Sequence, residues 1–294
     1  MRILIGTDLS DAADEAIRQG VAQLRSPSDE FALCHVLPEP QLRALFPQEH
    51  ERDLEALLEL QPKVAEALRA QVERLFGSNA RPFSTFVEQG SDYAELIRRA
   101  EQWRADLLVV GNHGRSGISR FFSRSVAEHV VRYATCRVLI ARQRPKGVVL
   151  VATDLSDPSR PAIEAGAQEA ARRQSPLVVL HVTETLSWGT QPAMALLGIN
   201  PITEPLDITA ERAQLARQII EGALERFGAK GEIRIVDGDP GTEILRSIEE
   251  LSAELLVVGT RGRGSVARVM LGSVAANLVQ SAPCSVLAVH LTTG

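Results

Sequence analysis

Short apolar runs alternate with amphipathic stretches along the first half of the chain. The runs RILIG, FALCHVL, FSTFVEQG, DLLVVG and RVLIA each have the length of one β-strand. Between the second and third runs, apolar residues recur at helical spacing at Val64, Leu68, Val72 and Leu75. Helical patterns also follow the first, third and fourth runs. Strands that are apolar throughout and separated by helices are typical of a parallel sheet covered on both faces, so the pattern predicts a five-stranded α/β fold.

The second half of the chain repeats the first. ILIGTDLSDAADEAI matches VLVATDLSDPSRPAI, DLLVVGNHG matches ELLVVGTRG, and SVAEHVVRYATCRVLIAR matches SVAANLVQSAPCSVLAVH. The offset is 146 positions at Asp8 and Asp154 and 148 positions in the later blocks. The polar stretch RQRPKG lies between the two copies. We therefore expect two tandem domains of the same α/β fold, residues 1–143 and residues 147–294.

Composition limits the classes of partner. The 294 residues carry a formal net charge of −5, which argues against a general nucleic-acid binder. No apolar run approaches the ~18 residues that a membrane span needs. The first apolar run reaches Asp8 too early for a signal peptide. The sequence therefore predicts a cytoplasmic protein that has neither nucleic acid nor a membrane as its partner.

The fourth strand of the second half is followed by a glycine-rich segment. GTRGRGSVARVMLGS runs from Gly259 to Ser273, and the last helical pattern begins at its end. Parallel sheets bind ligands at the carboxyl ends of their strands, and a helix start offers free N–H groups to an anion. Glycine lets the backbone approach a phosphate without a Cβ in the way. The segment predicts a phosphate cradle. The alternative is a glycine-rich turn closed by an ordinary serine N-cap.

These glycines fit neither of two common phosphate-binding motifs, because the chain has no G-x-x-x-x-G-K-[ST] and the segment does not continue as G-x-G-x-x-G. Their spacing, G-x2-G-x9-G-[ST], instead resembles the ATP-binding signature of the universal stress protein family. ATDLS, LHV, GDPGTEIL and APCSVLAV resemble other segments of that family. The resemblance covers both halves and implies a tandem member.

The family resemblance implies a fold and an assembly. Each domain is expected to be a five-stranded parallel sheet of strand order 3-2-1-4-5, with helices on both faces, of the adenine nucleotide alpha hydrolase-like type. The two halves are expected to pack as an internal pseudo-dimer through their fifth strands. A homodimer of the whole chain is a further alternative.

The resemblance also implies an ATP site in the second half, with or without Mg²⁺. Thr153 and Asp154 would face the adenosine, and the backbone of Val182 would contact the adenine edge. The implied nucleotide-binding residues are Ala152, Thr153, Asp154, Val182, Gly259, Gly262, Arg263, Gly272, Ser273 and Val274. Asp154 has a second interpretation as an Asx-turn or N-cap residue, and the two roles are compatible.

The first half departs from the signature at one position. Arg124 stands where the second half has Gly272. We expect its side chain to close the cradle or to weaken binding, although a guanidinium can also hold phosphate itself. The first-half counterparts of the site are Thr7, Asp8, Val36, Gly111, Gly114, Arg124 and Ser125. His113 is interpreted as a surface histidine, so no metal site and no catalytic residue are assigned.

The leading hypothesis is a nucleotide-dependent regulator of the stress response that holds ATP in its second half. A slow ATPase or a self-phosphorylating enzyme is one alternative, although phosphoryl transfer needs more than the single carboxylate that Asp154 supplies. A scaffold, or a stress protein that binds another small ligand, is a second alternative. The proline-containing stretch from His181 to Asp207 is interpreted either as a loop over the site or as a surface excursion.

Overall fold

The structure is a computed structural model that describes residues 1–37, 50–77, 80–111, 124–184, 206–260 and 271–290. Within these ranges only the backbone is described for residues 12, 50–59, 124, 125, 158 and 206–209. Most of the stretch from His181 to Asp207 therefore lies outside the described residues. The other predictions that lie outside them concern His113, Gly114, Gly262, Arg263 and the side chains of Arg124 and Ser125.

Ten strands occur in the described residues: β1 Arg2–Gly6, β2 Glu30–Leu37, β3 Ser84–Gln89, β4 Leu107–Gly111, β5 Arg137–Ala141, β6 Val148–Thr153, β7 Leu177–Thr183, β8 Glu232–Asp237, β9 Ala253–Gly259 and β10 Ser285–Val289. The α-helices described are α1 Asp14–Val21, α2 His50–Phe76, α3 Asp92–Gln102, α4 Arg124–Tyr133, α5 Arg160–Arg173, α6 Leu206–Arg226, α7 Pro240–Glu250 and α8 Ser273–Ser281. None of the helices in this part of the chain is both long and apolar enough to cross a bilayer.

All ten strands belong to one sheet. Their order is β3-β2-β1-β4-β5-β10-β9-β6-β7-β8. Within each half the neighbouring strands are parallel, and each half has the order 3-2-1-4-5 that the resemblance implied. The predicted fold class is therefore confirmed.

The two halves meet where β5 pairs with β10, and this pair is antiparallel. Leu139 lies opposite Leu287, and these two residues occupy equivalent positions 148 residues apart in the repeat. An interface in which equivalent residues face each other has the geometry of a two-fold axis. The seam between the halves therefore has approximate two-fold symmetry.

The sheet is covered on both faces, because its strands alternate their side chains between two cores. Leu4 points into one core, whereas Ile3 and Ile5 point into the other. Helices α3, α4, α7 and α8 cover the first core, and α1, α2, α5 and α6 cover the second. Each core contains residues of both halves, so hydrophobic packing continues across the seam.

Two side chains cross the seam in opposite directions. Arg142, directly after β5, donates to the carbonyls of Cys284 (3.0 Å) and Val279, near the carboxyl end of α8. His290, directly after β10, is hydrogen-bonded through Nε2 to the carbonyl of Val131 in α4 at 2.9 Å. The four positions form two equivalent pairs, each 148 residues apart. Each half therefore satisfies carbonyls in the last turn of a helix of the other half.

Candidate functional site

A cavity of about 930 Å³ opens at the carboxyl ends of the second-half strands β6, β7 and β9. The chain continues from β6 to β7 on one side, whereas β9 lies on the other side of β6. The sheet order therefore reverses beside β6, which is where open α/β sheets form their ligand clefts. The volume lies within the ~300–1,000 Å³ of small-molecule sites. The walls come from strand ends, from the starts of α7 and α8, and from one face of α6.

A tight turn after β6 presents Asp154 at the cavity. Its Oδ1 accepts hydrogen bonds from the Ser156 amide (3.1 Å) and the Ser156 hydroxyl (2.6 Å), which is the Asx-turn pattern. Leu155 has a φ of 63°, which is unusual for a residue with a Cβ, and the Thr153 hydroxyl accepts from its amide at 3.1 Å. The predicted Asx-turn role of Asp154 is therefore present, and the residue also lines the cavity.

Thr153 lines the cavity but its polar atoms bond within the protein. Its hydroxyl lies 2.8 Å from the hydroxyl of Ser159, and its carbonyl lies 2.9 Å from Nδ1 of His181. Because a carbonyl only accepts, the imidazole Nδ1 carries the hydrogen in this bond. Thr153 and His181 therefore hold the ends of β6 and β7 together beside the cavity.

The glycine-rich segment is closed by backbone hydrogen bonds at both of its ends. The amide of Gly272 donates to the carbonyl of Thr260 at 3.0 Å, and the amide of Thr260 donates to Val289 at 3.1 Å. The start of α8 is thereby held beside the end of β9. Gly259, Gly272, Ser273 and Val274 all line the cavity.

The first turn of α8 contributes backbone N–H groups to this end of the cavity that make no hydrogen bond within the helix. The first helical bond runs from the amide of Ala276 to the carbonyl of Gly272, so the amides of residues 273–275 precede the ladder. Gly272 is the N-cap, with φ −61° and ψ 145°, and Ser273 is the first helical residue. The alternative of an ordinary serine N-cap is therefore wrong for this helix.

Neither the backbone nor the surrounding protein requires a glycine at position 272. Its φ of −61° suits any residue. A Cβ built there would meet, among the described atoms, only the carbonyl of Thr260 at 3.8 Å, which is an ordinary contact. The space left by the missing side chain belongs to the cavity that Gly272 lines. A glycine here is consistent with a ligand that approaches the backbone closely.

Eight of the ten predicted second-half residues line this one cavity. They are Ala152, Thr153, Asp154, Val182, Gly259, Gly272, Ser273 and Val274. Gly262 and Arg263 lie outside the described residues. Sequence reasoning missed the α6 side of the cavity, which Arg212, Leu215 and Ile219 line. The signal was present, because Leu215 and Ile219 widen the apolar stripe of a helix that already has Ala216 and Ile220 on its buried face.

The first half builds the same turn after its first strand. Asp8 Oδ1 accepts from the Ser10 amide (3.1 Å) and hydroxyl (2.5 Å), and Leu9 has a φ of 65°. His35 Nδ1 lies 2.8 Å from the carbonyl of Thr7, as the repeat predicts. Val36 and Gly111 lie at the ends of β2 and β4, and α4 begins at Arg124. The described first-half counterparts thus occupy equivalent places in the fold.

The two halves differ in charge at the start of the helix that follows their third strand. Asp92 begins α3, whereas its second-half equivalent, Pro240, begins α7 and lines the cavity. Burial raises the pKa of Asp92, and burial lowers the pKa of nearby His35. At this position the first half has a carboxyl group and the second half an uncharged residue, whereas the second half has carboxyl groups at Asp239, directly before α7, and at Glu184, which lines the cavity. The described residues contain no cluster of three or more His, Cys, Asp or Glu side chains arranged to hold a metal ion.

Comparisons with known proteins agree with this architecture. The model of the universal stress protein family matches residues 1–142 and again residues 147–290. The chain is 27% identical over 303 residues to a universal stress protein of Mycolicibacterium smegmatis, with 98% of this chain and 96% of that protein covered. It is 29% identical over 306 residues to one from Mycobacterium tuberculosis, with 97% and 95% covered.

Solved structures show the same fold. A universal stress protein of Archaeoglobus fulgidus superposes with a TM-score of 0.60 at 19% identity, covering 98% of both chains. A putative universal stress protein of Pseudomonas aeruginosa superposes with a TM-score of 0.59 at 16% identity, covering 98% of this chain and 92% of that one. Since the family matches both halves, this chain belongs to the universal stress protein family as a member with two tandem domains.

Proposed function

We propose that this chain is an ATP-binding, cytoplasmic regulator in the stress response, and that its second domain holds the nucleotide. Residues 1–143 and 147–294 are its two domains, and their pairing through β5 and β10 acts as an internal dimer. The base and ribose lie by Asp154, Val182 and the backbone of Ala152. The remaining nucleotide-binding residues are Thr153, Gly259, Gly262, Arg263, Gly272, Ser273 and Val274, with or without Mg²⁺.

One observation carries this proposal: eight of the ten residues that the family resemblance implies for ATP binding line a single cavity at the switch point of the sheet. The cavity has a different chemistry at each end. The end near α8 offers backbone N–H groups and the positive end of a helix dipole, which suit phosphates. The end near β7 combines the carboxylates of Asp154 and Glu184 and the Arg212 side chain with apolar side chains, and this mixture of polar and apolar groups suits a nucleoside.

The first domain is proposed as the weaker partner. Its signature has Arg124 in place of the cradle glycine, and a side chain of that size would occupy the space that Gly272 leaves open in the second domain. ATP is therefore expected at one site per chain, with Thr7, Asp8, Val36, Gly111, Gly114 and Ser125 forming at most a weak first-domain site.

The decisive measurement is the amount of adenine nucleotide that leaves the purified protein on denaturation, followed by titration of the emptied protein with ATP. We expect about one nucleotide per chain. Gly272→Arg, which copies the first domain into the second, should abolish detectable binding because its side chain fills the cradle. Gly272→Ala is the matched control for folding, since the described structure has room for its Cβ.

Two outcomes would overturn the proposal. Either the wild-type protein takes up no ATP, with and without Mg²⁺, or Gly272→Arg binds ATP as tightly as the wild type. An unchanged unfolding temperature in both variants would show that the loss of binding reflects the filled cradle.

A further inference from the structure

Two large hydrophobic side chains of α6 are exposed inside the cavity. Leu215 is 58% exposed and Ile219 is 38% exposed, and both line the cavity. The described part of the chain exposes only three other large hydrophobic side chains, Met1, Tyr133 and Phe227, and none of these lines the cavity. We call Leu215 and Ile219 the α6 wall.

The protein's own core does not account for the α6 wall. The core-facing stripe of α6 consists of Ala216, Ile220 and Leu224, which are at most 5% exposed. Leu215 and Ile219 are spaced four residues apart and form a second apolar row beside that stripe. A helix that packs against one sheet needs one apolar stripe, so packing on the sheet does not account for the second row.

The position of the wall indicates which part of a ligand it contacts. Helix α6 packs on β7 and β8, so the wall lies beside the end of β7, where Val182 also lines the cavity. The backbone donors of α8 lie at the end of β9, on the other side of β6. A ligand whose phosphates lie at α8 would therefore bring its other end toward the wall.

We propose that the α6 wall covers the face of a purine base and makes the second domain selective for purine nucleotides; this rests on the proposed function. A flat base has apolar faces and polar edges. The edge is served by the Asp154 turn and the backbone of Val182, whereas the wall buries one face. A two-ring base covers more of the wall than a one-ring base, so the gain in affinity from this burial is larger for ATP than for UTP.

The first domain lacks an equivalent wall in its described part. The exposed side chains of α2 from residue 60 onward include no large hydrophobic residue. The expected preference of ATP for the second domain therefore has a second cause, the α6 wall, in addition to Arg124 of the first domain.

Isothermal titration with ATP, UTP and tripolyphosphate tests this inference on the full chain. The double variant Leu215→Ala with Ile219→Ala should bind ATP about tenfold more weakly, because the removed groups no longer shield the base from water. Its preference for ATP over UTP should fall, and its affinity for tripolyphosphate should stay the same. Phe227→Ala, which removes an exposed aromatic side chain outside the cavity, should change none of these values.

Each of the following outcomes contradicts the inference that the α6 wall covers a purine base. Unchanged ATP affinity in the double variant would overturn it while leaving the proposed function intact, and so would an equal loss for ATP and tripolyphosphate. A lower unfolding temperature of the ligand-free double variant would mean that the chain itself covers these side chains, which also overturns the inference. If the wild type binds tripolyphosphate but not ATP, both the wall and the proposed function fail.

Discussion

At the scale of single residues, the site is built from side chains that serve the fold as well as the cavity. Asp154 closes the turn after β6 through Ser156 and at the same time lines the cavity. Asp8 makes the same turn in the first half. The turn-closing role is therefore found in both halves, whereas the ligand-binding role is proposed mainly for Asp154. The two roles can be tested separately.

We predict that Asp154→Asn separates the two roles of this carboxylate. An amide oxygen can accept the two bonds from Ser156, so the free energy of unfolding should stay within about 0.5 kcal/mol of the wild type. The amide nitrogen cannot accept a hydrogen bond from the ligand, so ATP affinity should fall about tenfold. Urea unfolding and calorimetric titration measure the two effects.

Two further variants serve as controls for Asp154→Asn. Asp154→Ala should lose ATP affinity and also about 1 kcal/mol of stability, because the turn loses its acceptor. Asp8→Asn should change neither quantity. Wild-type ATP affinity in Asp154→Asn would show that the residue only shapes the turn.

The three cysteines are buried or partly buried and have raised pKa values, unlike reactive thiols. Cys34 and Cys284 are buried and Cys136 is partly exposed. Burial raises the pKa of Cys136 and of Cys284 to about 11, and raises that of Cys34 further. Because the thiolate is the nucleophile, we predict that all three thiols react with a disulfide reagent at pH 8 far more slowly in the folded protein than in urea. Rapid labelling of Cys284 without denaturant would contradict this prediction.

At the scale of elements, α8 is held at both of its ends by different parts of the chain. Its start is attached to the end of β9 through the bond from Gly272 to Thr260. Its last turn is capped from the other domain by Arg142. The helix that offers its N–H groups to the cavity is thus positioned partly by a first-domain residue.

We predict that Arg142→Ala lowers the free energy of unfolding by about 3 kcal/mol, because it leaves the carbonyls of Cys284 and Val279 buried without their charged donor. His290→Ala, at the equivalent position, removes one bond to Val131 and should cost about 1 kcal/mol. Arg142→Met keeps the apolar stem but lacks the charged donor, so its decrease in the free energy of unfolding should be close to that of Arg142→Ala. Urea unfolding at pH 7 measures all three, and equal losses for Arg142→Ala and His290→Ala would contradict the asymmetry.

The sequence predicted the elements well because each half has a plain local pattern. Strands such as LLVVG are apolar throughout, and the repeat doubles the evidence for each of them. It also predicted which strand ends carry the site, since glycines and Asp154 follow those strands. It did not predict the α6 wall or the crossing of Arg142 and His290. The widened apolar stripe of α6 is visible in the local spacing, but the element that faces it is not, and the crossing of Arg142 and His290 depends on how distant elements pack.

At the scale of the whole molecule, the two halves carry different residues at positions that face each other across the approximate two-fold axis of the seam. Gln23 and Glu169 occupy equivalent positions 146 residues apart and lie opposite each other, with Gln23 Nε2 donating to Glu169 Oε2 at 3.2 Å. In a dimer of identical chains, two copies of Glu169 would face each other, and like charges at this distance repel. The tandem chain instead pairs a carboxylate with an amide.

The carboxylate of Glu169 lies near arginine side chains of both domains. Arg172 donates to it at 2.7 Å and Arg173 at 3.2 Å, while Arg25 of the first half lies 3.7 Å away. Arg172 further donates to the carbonyl of Ala22 at 2.9 Å, across the boundary between the halves. Burial alone would raise the pKa of Glu169, but the hydrogen bonds from Arg172 and Gln23 and the arginine charges outweigh it, so the pKa lies below its ordinary value.

We therefore predict a pH-dependent contribution of Glu169 to stability. A carboxyl group whose pKa is lower in the folded state stabilises the fold above its unfolded pKa of about 4.3 and loses that contribution as the pH falls through the folded value. Glu169→Gln should lower the free energy of unfolding by about 2 kcal/mol at pH 7, because Arg172 and Arg173 lose their counter-charge in a buried place. The deficit should shrink as the pH falls below about 4.

Glu249→Gln is the matched control for this prediction, because Glu249 also pairs with an arginine outside its own domain, Arg144 of the stretch RQRPKG between the two copies, at 2.8 Å. Its side chain is 63% exposed, so solvent screens the pair and its loss should cost less than about 0.5 kcal/mol. Urea unfolding of both variants at pH 7 and at about pH 3 measures the difference. A deficit in Glu169→Gln that is as small as that of Glu249→Gln, or that does not shrink on acidification, would mean that the buried cluster does not hold the two halves together through charge.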